Sequence, residues 1–158
     1  MPRLSESHIP IQLFESKDHG SAGIDSYSVN TALTNGFSAF INFGAVTGNS
    51  ILTVYAGASQ GAKTTAIAFK YRLSAADCKV ALSDQLGDAI AVASTGLTLT
   101  ATTFDHRLVV IEIDPDTMPD AKPYVTLSID ATATVFLAGG FAVARPRQAA
   151  HLAQSIVA

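Results

Sequence analysis

The clearest pattern in the chain is an alternation of apolar and polar positions in its central part. Every second residue is apolar in 37–43 and again in 67–71, and polar side chains such as Asn42 lie between them. A period of two residues is typical of strands that bury one face. Two glycine-containing loops, 45–50 and 58–63, separate three β-rich runs. This stretch therefore predicts an antiparallel meander with one buried face.

Short β-strands are also predicted before and after this central stretch. The additional predicted strands are 8–14, 24–33, 89–93, 97–103, 107–114, 124–130 and 133–144. Pro10 places the first of them at a sheet edge or a strand start, because proline cannot donate a ladder hydrogen bond. Gly139 and Gly140 predict a bulge or a close backbone approach in the last strand. Residues 73–86 fit either one helical turn or a long loop that holds a short strand at 79–82.

The number and spacing of these strands predict an all-β fold. Roughly eight to ten short strands with turns between most of them are typical of a sandwich, a jelly roll or a barrel. The length of 158 residues indicates one domain, and about eight strands in two antiparallel sheets suit that length. We therefore predict an antiparallel β-sandwich of the jelly-roll type at 9–147, with a short N-terminal arm at 1–8 and a C-terminal tail at 148–158.

The composition favours a protein that sits in an assembly. Charged residues make up 15% of the chain, against about 25% in a typical soluble domain, so much of the surface is expected to be uncharged. The net charge of −3 lacks the basic excess expected of a nucleic-acid-binding protein. The chain shows no signal-peptide pattern and no apolar run of about 20 residues. These features predict a soluble protein that contacts no membrane and is made in the cytoplasm.

Residues that often carry catalysis or bind metals are sparse. The four histidines show no spacing typical of a local metal-binding pair, and we expect them on the surface in loops and arms. They are His8, His19, His106 and His151. The single cysteine, Cys78, excludes an internal disulfide and a cysteine-based zinc site. We expect it to be a small side chain that is buried or half-buried.

Two loops resemble functional motifs but lack part of the required pattern. Asp114, Asp116 and Asp120 place carboxylates in one loop, as calcium sites do. Pro119 stands, however, where an EF-hand needs glycine, so a stiff solvated turn is the better interpretation. Residues 57–61 have the outline of a Gly-x-Ser-x-Gly elbow, which works only before a helix, whereas a strand is predicted to follow. We therefore predict a protein that is not an enzyme and holds no metal or cofactor.

The predicted partner-binding residues lie near the two ends of the chain. Arg145 and Arg147 form the best cationic cluster, which fits either pairing with a partner's carboxylates or a solvated turn. Leu152 and Ile156 stand at helical spacing in the tail. The predicted set is Arg3, Leu4, Arg145, Arg147, Leu152 and Ile156.

Four segments carry a resemblance to a known class of proteins. They are Ile11-Gln12-Leu13-Phe14-Glu15-Ser16-Lys17-Asp18, Ile41-Asn42-Phe43-Gly44-Ala45-Val46-Thr47-Gly48, the Ala-Gly-Ala-Ser loop at 56–59, and Ala144-Arg145-Pro146-Arg147. In these segments the chain resembles the small β-rich structural proteins encoded among the head genes of tailed bacteriophages, often capsid decoration (cement) proteins.

This resemblance implies both a fold and a place in a virion. It implies a jelly roll or a related sandwich that forms dimers or trimers. It also implies a location on the outer surface of an icosahedral capsid, after synthesis in the host cytoplasm. The implied partner is the phage major capsid protein, whose shell such proteins stabilise. Proteins of this class have no catalytic residues that could be transferred to the present chain.

Three other functions are also compatible with the sequence. The first is a phage tail or head–tail connector subunit, which would be present in far fewer copies than a decoration protein. The second is a carbohydrate-binding β-sandwich, although the chain has no tryptophan for a sugar platform. Its available aromatic residues with a polar group are Tyr27, Tyr55, Tyr71 and Tyr124. The third is a cupin-type metalloenzyme, which would need histidines brought together by the fold.

Overall fold

The structure, a computed structural model, describes residues 7–132 and 134–148. Its strands are β1 (Ile9–Asp18), β2 (Ile24–Asp25), β3 (Val29–Asn30), β4 (Thr34–Val46), β5 (Ser50–Gly57), β6 (Thr65–Ile67), β7 (Phe69–Leu73), β8 (Ile90–Val92), β9 (Leu97–Leu99), β10 (Leu108–Ile113), β11 (Tyr124–Ile129) and β12 (Phe136–Pro146). Short helices join some of them: the 3₁₀ helices η1 (Thr31–Leu33) and η2 (Pro115–Thr117), and the α-helix α1 (Ala101–Phe104).

The strands form two antiparallel sheets that pack face to face. Sheet A has the order β1-β12-β4-β10-β7-β8, and sheet B has the order β2-β11-β5-β6, with β3 on β11 and β9 on β5. The chain passes between the sheets so that β1, β4, β10 and β12 lie in sheet A, while β2, β5, β6 and β11 lie in sheet B. This wrapping is that of a jelly roll. The predicted all-β sandwich is confirmed.

The alternation in β4 fills the space between the sheets. Phe37, Ala39, Ile41 and Phe43 are all buried and belong to one core cluster. Equivalent rows come from β10 and from β11, whose inward side chains include Val109 and Leu127. Burying each large apolar side chain contributes about 1.5–3 kcal/mol, so these rows hold the two sheets together.

The prediction that the central strands pair with one another as a meander is wrong. β4 pairs with β10 and β12 in sheet A, whereas β5 pairs with β11, β6 and β9 in sheet B. The chain crosses from one sheet to the other at 47–49 and crosses back at Ala68. Each strand buries its apolar face against the opposite sheet. A local alternation of residues indicates a half-buried strand but not which strand lies beside it.

Three weaker segments also differ from the prediction. The segment 24–33 is interrupted and ends in η1, because the Asn30 side chain caps it by accepting from the Ala32 amide at 3.0 Å. The predicted strand 97–103 ends at Leu99, and α1 follows and buries Phe104. Residues 75–85 form turns without the short strand at 79–82.

The predictions for β1 and β12 are confirmed. β1, which contains Pro10, is an edge strand of sheet A. A side chain at Gly139 would lie 2.0 Å from Ser16 Oγ, and one at Gly140 would lie 2.6 Å from the Phe14 ring. The glycines therefore allow the close approach of β1, whose register shifts at the same place.

Candidate interaction surface

The outer face of sheet A, which points away from the core, carries a row of side chains across five strands. In adjacent strands Gln12 stands opposite Phe141, Phe141 opposite Phe40, Phe40 opposite Val110, and Val110 opposite Arg72. Directly opposite residues of an antiparallel pair share one face of the sheet. The row therefore places an apolar centre between polar ends.

The centre of this row is an aromatic pair formed by the exposed Phe141 and the partly buried Phe40. The Phe40 and Phe141 rings stack with their centroids 5.0 Å apart and 8° between their planes. Phe141 keeps 50% of its surface exposed. Leu108 and Val143, which are partly buried, extend the same face on β10 and β12. We call Phe40, Phe141, Leu108, Val143 and the buried Val110 the phenylalanine patch.

Sequence reasoning missed this patch, although the sequence contains a signal for it. Phe40 lies between Ala39 and Ile41, at a position where the alternation of β4 expects a polar residue. Phe141 breaks the pattern of β12 in the same way, between Gly140 and Ala142. Two aromatic residues at outward-facing positions indicate a surface with a use beyond the core.

Arg145 lies on the same face as the patch. It follows Phe141 and Val143 along the outward positions of β12 and stands opposite Gly36 of β4. Its side chain is exposed and has no ion-pair partner among residues 7–132 and 134–148. An unpaired guanidinium beside an apolar patch can receive a carboxylate in bidentate geometry.

Arg147 is already engaged within the chain. Its Nε donates to the Thr34 carbonyl at 2.8 Å, and its Nη2 lies 3.0 Å from Asp116 Oδ1. Its backbone amide donates to the Leu33 carbonyl at 2.9 Å. The structure therefore separates the two predicted arginines: Arg147 fixes the end of β12, whereas Arg145 makes no ion pair with the described residues. The other predicted partner residues lie outside the described residues: Arg3, Leu4, Leu152 and Ile156.

The outer face of sheet B has a different character. Ser28 and Thr126 share a hydrogen bond of 2.8 Å between their hydroxyls, and the Gly61 amide donates to Ser28 Oγ at 2.8 Å. The loop that joins β5 to β6 thus closes over this face. Thr126 is only 1% exposed. Within the described ranges every buried side-chain nitrogen or oxygen has a hydrogen-bond partner.

An ion pair completes this polar face of sheet B. Lys63 Nζ lies 2.8 Å from Asp25 Oδ1, and Ser128 Oγ donates to the same oxygen at 2.6 Å. Burial alone would raise the pKa of Asp25, but the hydrogen bonds from Lys63 and Ser128 outweigh it and the pKa lies below its ordinary value. This face uses its polar groups internally.

Two expectations about reactive residues are wrong. His19 is buried rather than on the surface: its Nε2 lies 3.0 Å from the Glu15 carbonyl oxygen, and its ring meets the edge of Phe14. Cys78 is exposed rather than buried. It lies in the turns between Ser74 and Leu86, which bridge to each other and hold the loop outside the core.

The two motif-like loops have structural roles. Asp114 caps η2 by accepting from the Asp116 amide at 3.0 Å, and Asp116 binds Arg147. Residues 57–61 lie in the hairpin between β5 and β6, as predicted. The described part of the chain contains no group of three or more His, Cys, Asp or Glu side chains that could hold a metal ion.

The four tyrosines are not equally accessible. Tyr27 is 60% exposed, whereas Tyr71 is buried in the core. Tyr55 and Tyr124 are partly buried, and Lys63 Nζ lies 5.7 Å from the centre of the Tyr55 ring. Tyr27 therefore stands alone as an exposed tyrosine in the described ranges.

Comparison with known proteins identifies no family for this chain. No family profile and no curated protein match it. Among solved structures, a chain of "Structure of infectious bursal disease virus Gt strain" has a TM-score of 0.21 and 15% identity, over 95% of this chain and 42% of that one. A chain of the Gx strain structure has a TM-score of 0.12 and 18% identity, over 89% and 36%.

The present chain thus spans less than half the length of either viral chain. Likeness at these TM-scores carries no conclusion about function. Along the described residues, no helix is both long and apolar enough to cross a membrane.

Proposed function

We propose that the protein is a non-enzymatic structural component of a virion, which binds the outside of an icosahedral bacteriophage capsid and stabilises it as a decoration protein. The observation that carries this proposal is the phenylalanine patch, an apolar centre on one sheet of a jelly roll in which Phe141 is half exposed. The fold alone does not define a function, because jelly rolls serve many.

The patch has the make-up of the centre of a protein interface. Aromatic residues and arginine are enriched in the few positions that dominate binding energy, and they cluster at the centre of a contact. Phe141 and Phe40 would form the apolar centre of the contact, and Arg145 would bind a carboxylate of the partner. A specific contact buries about 800 Å² on each partner, so the phenylalanine patch would be the centre of a larger contact.

A rigid sheet face also suits a partner that is repeated on a shell. Stacking of Phe40 on Phe141 orders both rings before contact, so less side-chain entropy is lost on binding. Dimers or trimers of the protein would engage several capsid subunits at once, and linked sites raise the overall affinity without any new contact. The proposed partner is the phage major capsid protein.

The first test is stoichiometry. Light scattering gives the oligomeric state of the protein alone, and titration onto purified expanded capsids gives the number of copies bound. A decoration protein saturates at a copy number close to that of the capsid protein. A monomer that does not bind capsids would overturn the proposal, and one small ring per particle would indicate a connector subunit instead.

A second candidate function rests on Tyr27. This exposed ring borders a small cavity of about 260 Å³, to which Asp25 and Gln60 also contribute. An aromatic face beside carboxylate and amide groups is the composition that carbohydrate sites use. A glycan array tests this candidate: hits that disappear in Tyr27→Ala would support it, and an array without hits would exclude it.

A further inference from the structure

The two edges of sheet A differ in how they are protected against pairing with another strand. At one edge, β1 contains Pro10, carries Glu15, Lys17 and Asp18, and shifts its register along β12. Proline, charges and bulges are features that keep an edge strand from pairing with another chain. β8, at the other edge, pairs with β7 in a regular register, and residues 89–104 contain no Pro, Asp, Glu, Lys or Arg.

This unprotected edge extends beyond the short strand β8. The Gly87 amide donates to the Leu73 carbonyl at 2.9 Å, and the Ala75 amide donates to the Gln85 carbonyl at 2.8 Å. The segment 85–92 therefore runs along β7, and its residues up to Ala91 are exposed. Among residues 7–132 and 134–148, no strand pairs with the other side of β8.

The hydrogen bonds of β7 show which backbone groups of β8 point to the free edge. The Leu73 carbonyl faces the segment 85–92, because it accepts from Gly87. Backbone groups alternate between the two sides of a strand, so Tyr71 faces the same way and bonds to Ile90, which stands opposite it. Ala91 is the next residue along β8. Its amide and carbonyl therefore point to the free edge.

We propose that two copies of the protein pair through β8, antiparallel and about a two-fold axis at Ala91. The two copies of Ala91 exchange both backbone hydrogen bonds, as directly opposite residues do in a hydrogen-bonded pair. In this register Ile90 lies opposite Val92 of the other copy, and Asp88 lies opposite Ser94. No like charges face each other across the axis.

The side chains at this edge favour a second copy as the partner. Ile90 is 50% exposed, and Leu86, Val80 and Leu82 are exposed in the preceding part of the same segment and in the loop before it. An uncharged edge favours a partner strand that is itself uncharged, and β8 is such a strand. A two-fold contact uses the same surface on both copies, so each copy would bury Ile90 of the other.

The pairing stands whether or not the protein binds a capsid. β7 separates β8 from β10, the nearest strand of the phenylalanine patch, so the patch lies outside the paired strands. A dimer carries two copies of the patch, and linked sites raise the overall affinity for a repeated partner. This last consequence alone rests on the proposed function.

Ala91→Glu and Ala91→Lys test the two-fold register by light scattering of the full chain. Each variant places like charges directly opposite one another, so each should raise the Kd of the dimer about five-fold or more. Mixing the two variants should restore the dimer, because a carboxylate then faces an ammonium group. Ala58→Glu makes the same change at an exposed position in the loop after β5 and should leave the dimer unchanged.

Cross-linking tests the same register without added charge. In a Cys78→Ser background, Ala91→Cys places one thiol at the axis, where the two Cα atoms would lie about 5.5 Å apart, within reach of a disulfide. Mild oxidation should therefore link two chains. Ala89→Cys is the matched control, because residue 89 lies opposite residue 93 of the other copy and its own counterpart is out of reach.

Several outcomes would overturn the pairing. They are a monomeric or trimeric parent, a dimer that both charge variants leave intact, and equal cross-linking at the two positions. Dimerisation of β8 with a strand of added capsid protein would also overturn it, because a foreign strand would then occupy the edge. A monomer that still binds capsids would refute the pairing and leave the proposed function standing.

Discussion

The outer faces of the two sheets differ in how their side chains are partnered. The outer face of sheet B carries hydroxyls and charges that are already paired, as in the Ser28–Thr126 hydrogen bond and the Asp25–Lys63 ion pair. The outer face of sheet A also pairs two charges, since Arg72 lies 3.7 Å from Glu112, but it carries the phenylalanine patch and Arg145, which has no ion-pair partner among residues 7–132 and 134–148. Within the described residues, the outer face of sheet B therefore pairs its polar groups internally, whereas that of sheet A leaves apolar surface and one charge without such partners.

Because of this difference, the side chains that stabilise the fold and those proposed to bind a partner lie on different faces. Removing a buried hydroxyl from sheet B leaves another polar group without its partner and costs folding free energy. Removing an exposed ring from sheet A costs less in folding but takes away what a partner would bury. Substitutions on the two faces should therefore change different measurements. Three predictions test this, starting with the largest effect, and a fourth concerns the junction of β1 and β12.

The largest effect is expected from Phe141→Ser on capsid binding. Loss of an aromatic residue at the centre of an interface costs about 2 kcal/mol or more, which corresponds to roughly 30-fold weaker binding. The free energy of unfolding should fall by only about 0.5–1.5 kcal/mol, the value of the stacked pair. Cosedimentation with capsids and urea denaturation measure the two quantities.

Ile51→Ser is the control for this variant, because Ile51 is 40% exposed and points outward from sheet B, opposite Thr98. It should leave capsid binding unchanged. If both variants weakened binding equally, the contrast between the two faces would be wrong.

The next effect is expected from Thr126→Val on stability. The substitution removes the hydroxyl that pairs with Ser28, and leaving a buried polar group with fewer partners costs about 1–3 kcal/mol. Urea denaturation should show this loss, while capsid binding stays unchanged. Thr98→Val makes the same chemical change at an exposed site and should stay within about 0.5 kcal/mol of the parent. Equal losses for the two variants would contradict the buried network.

A smaller effect is expected from Arg145→Glu. Reversing this charge should weaken capsid binding by up to about ten-fold at low salt, mainly through slower association, and the effect should shrink as salt screens the charge. Lys79→Glu, an exposed lysine in the 75–85 loop, is the charge-matched control. A salt-independent loss of binding, or an equal loss in the control, would argue against a carboxylate partner for Arg145.

The smallest effect concerns Asp18 at the junction of β1 and β12. Hydrogen bonds from the amides of Phe136 at 2.9 Å and Gly20 at 3.0 Å lower the pKa of Asp18 from its ordinary value of 3.8. A lowered folded-state pKa gives a stabilisation that is present above 3.8 and is lost as the pH falls through the folded value. The difference in Tm between the parent and Asp18→Asn should therefore shrink in acid.

Asp84→Asn, which changes an exposed aspartate in the 75–85 loop, is the control for the loss of one carboxylate. A Tm difference for Asp18→Asn that stayed constant from pH 7 down to strongly acidic conditions would show that the carboxylate charge does not contribute.

The sequence was sufficient for the fold class and for several strands. Alternation in 107–114 and 124–130 found β10 and β11, because their inward residues are apolar and regularly spaced. It could not show that β4 and β5 lie in different sheets, since partners such as β12 are distant in the chain. The burial of Thr126 could not be predicted either, because its hydrogen-bond partner Ser28 is 98 residues away in the chain.

The interaction surface was only partly predictable. Arg145 and Arg147 were both predicted from their place in a small cationic cluster, and the sequence could not distinguish them, because only the folded chain brings Asp116 to Arg147. Phe40 and Phe141 were visible as apolar residues at polar positions. Their stacking depends on the register of β4 and β12, which the sequence alone does not contain.

The central claim is that the outer face of sheet A meets a capsid. Hydroxyl-radical footprinting of the protein, free and bound to capsids, tests it most directly by measuring oxidation of Phe141 and of Tyr27. The account predicts that bound protein protects Phe141, which is 50% exposed when free, and leaves Tyr27 as reactive as before. Protection of Tyr27 with unchanged oxidation of Phe141 would contradict it.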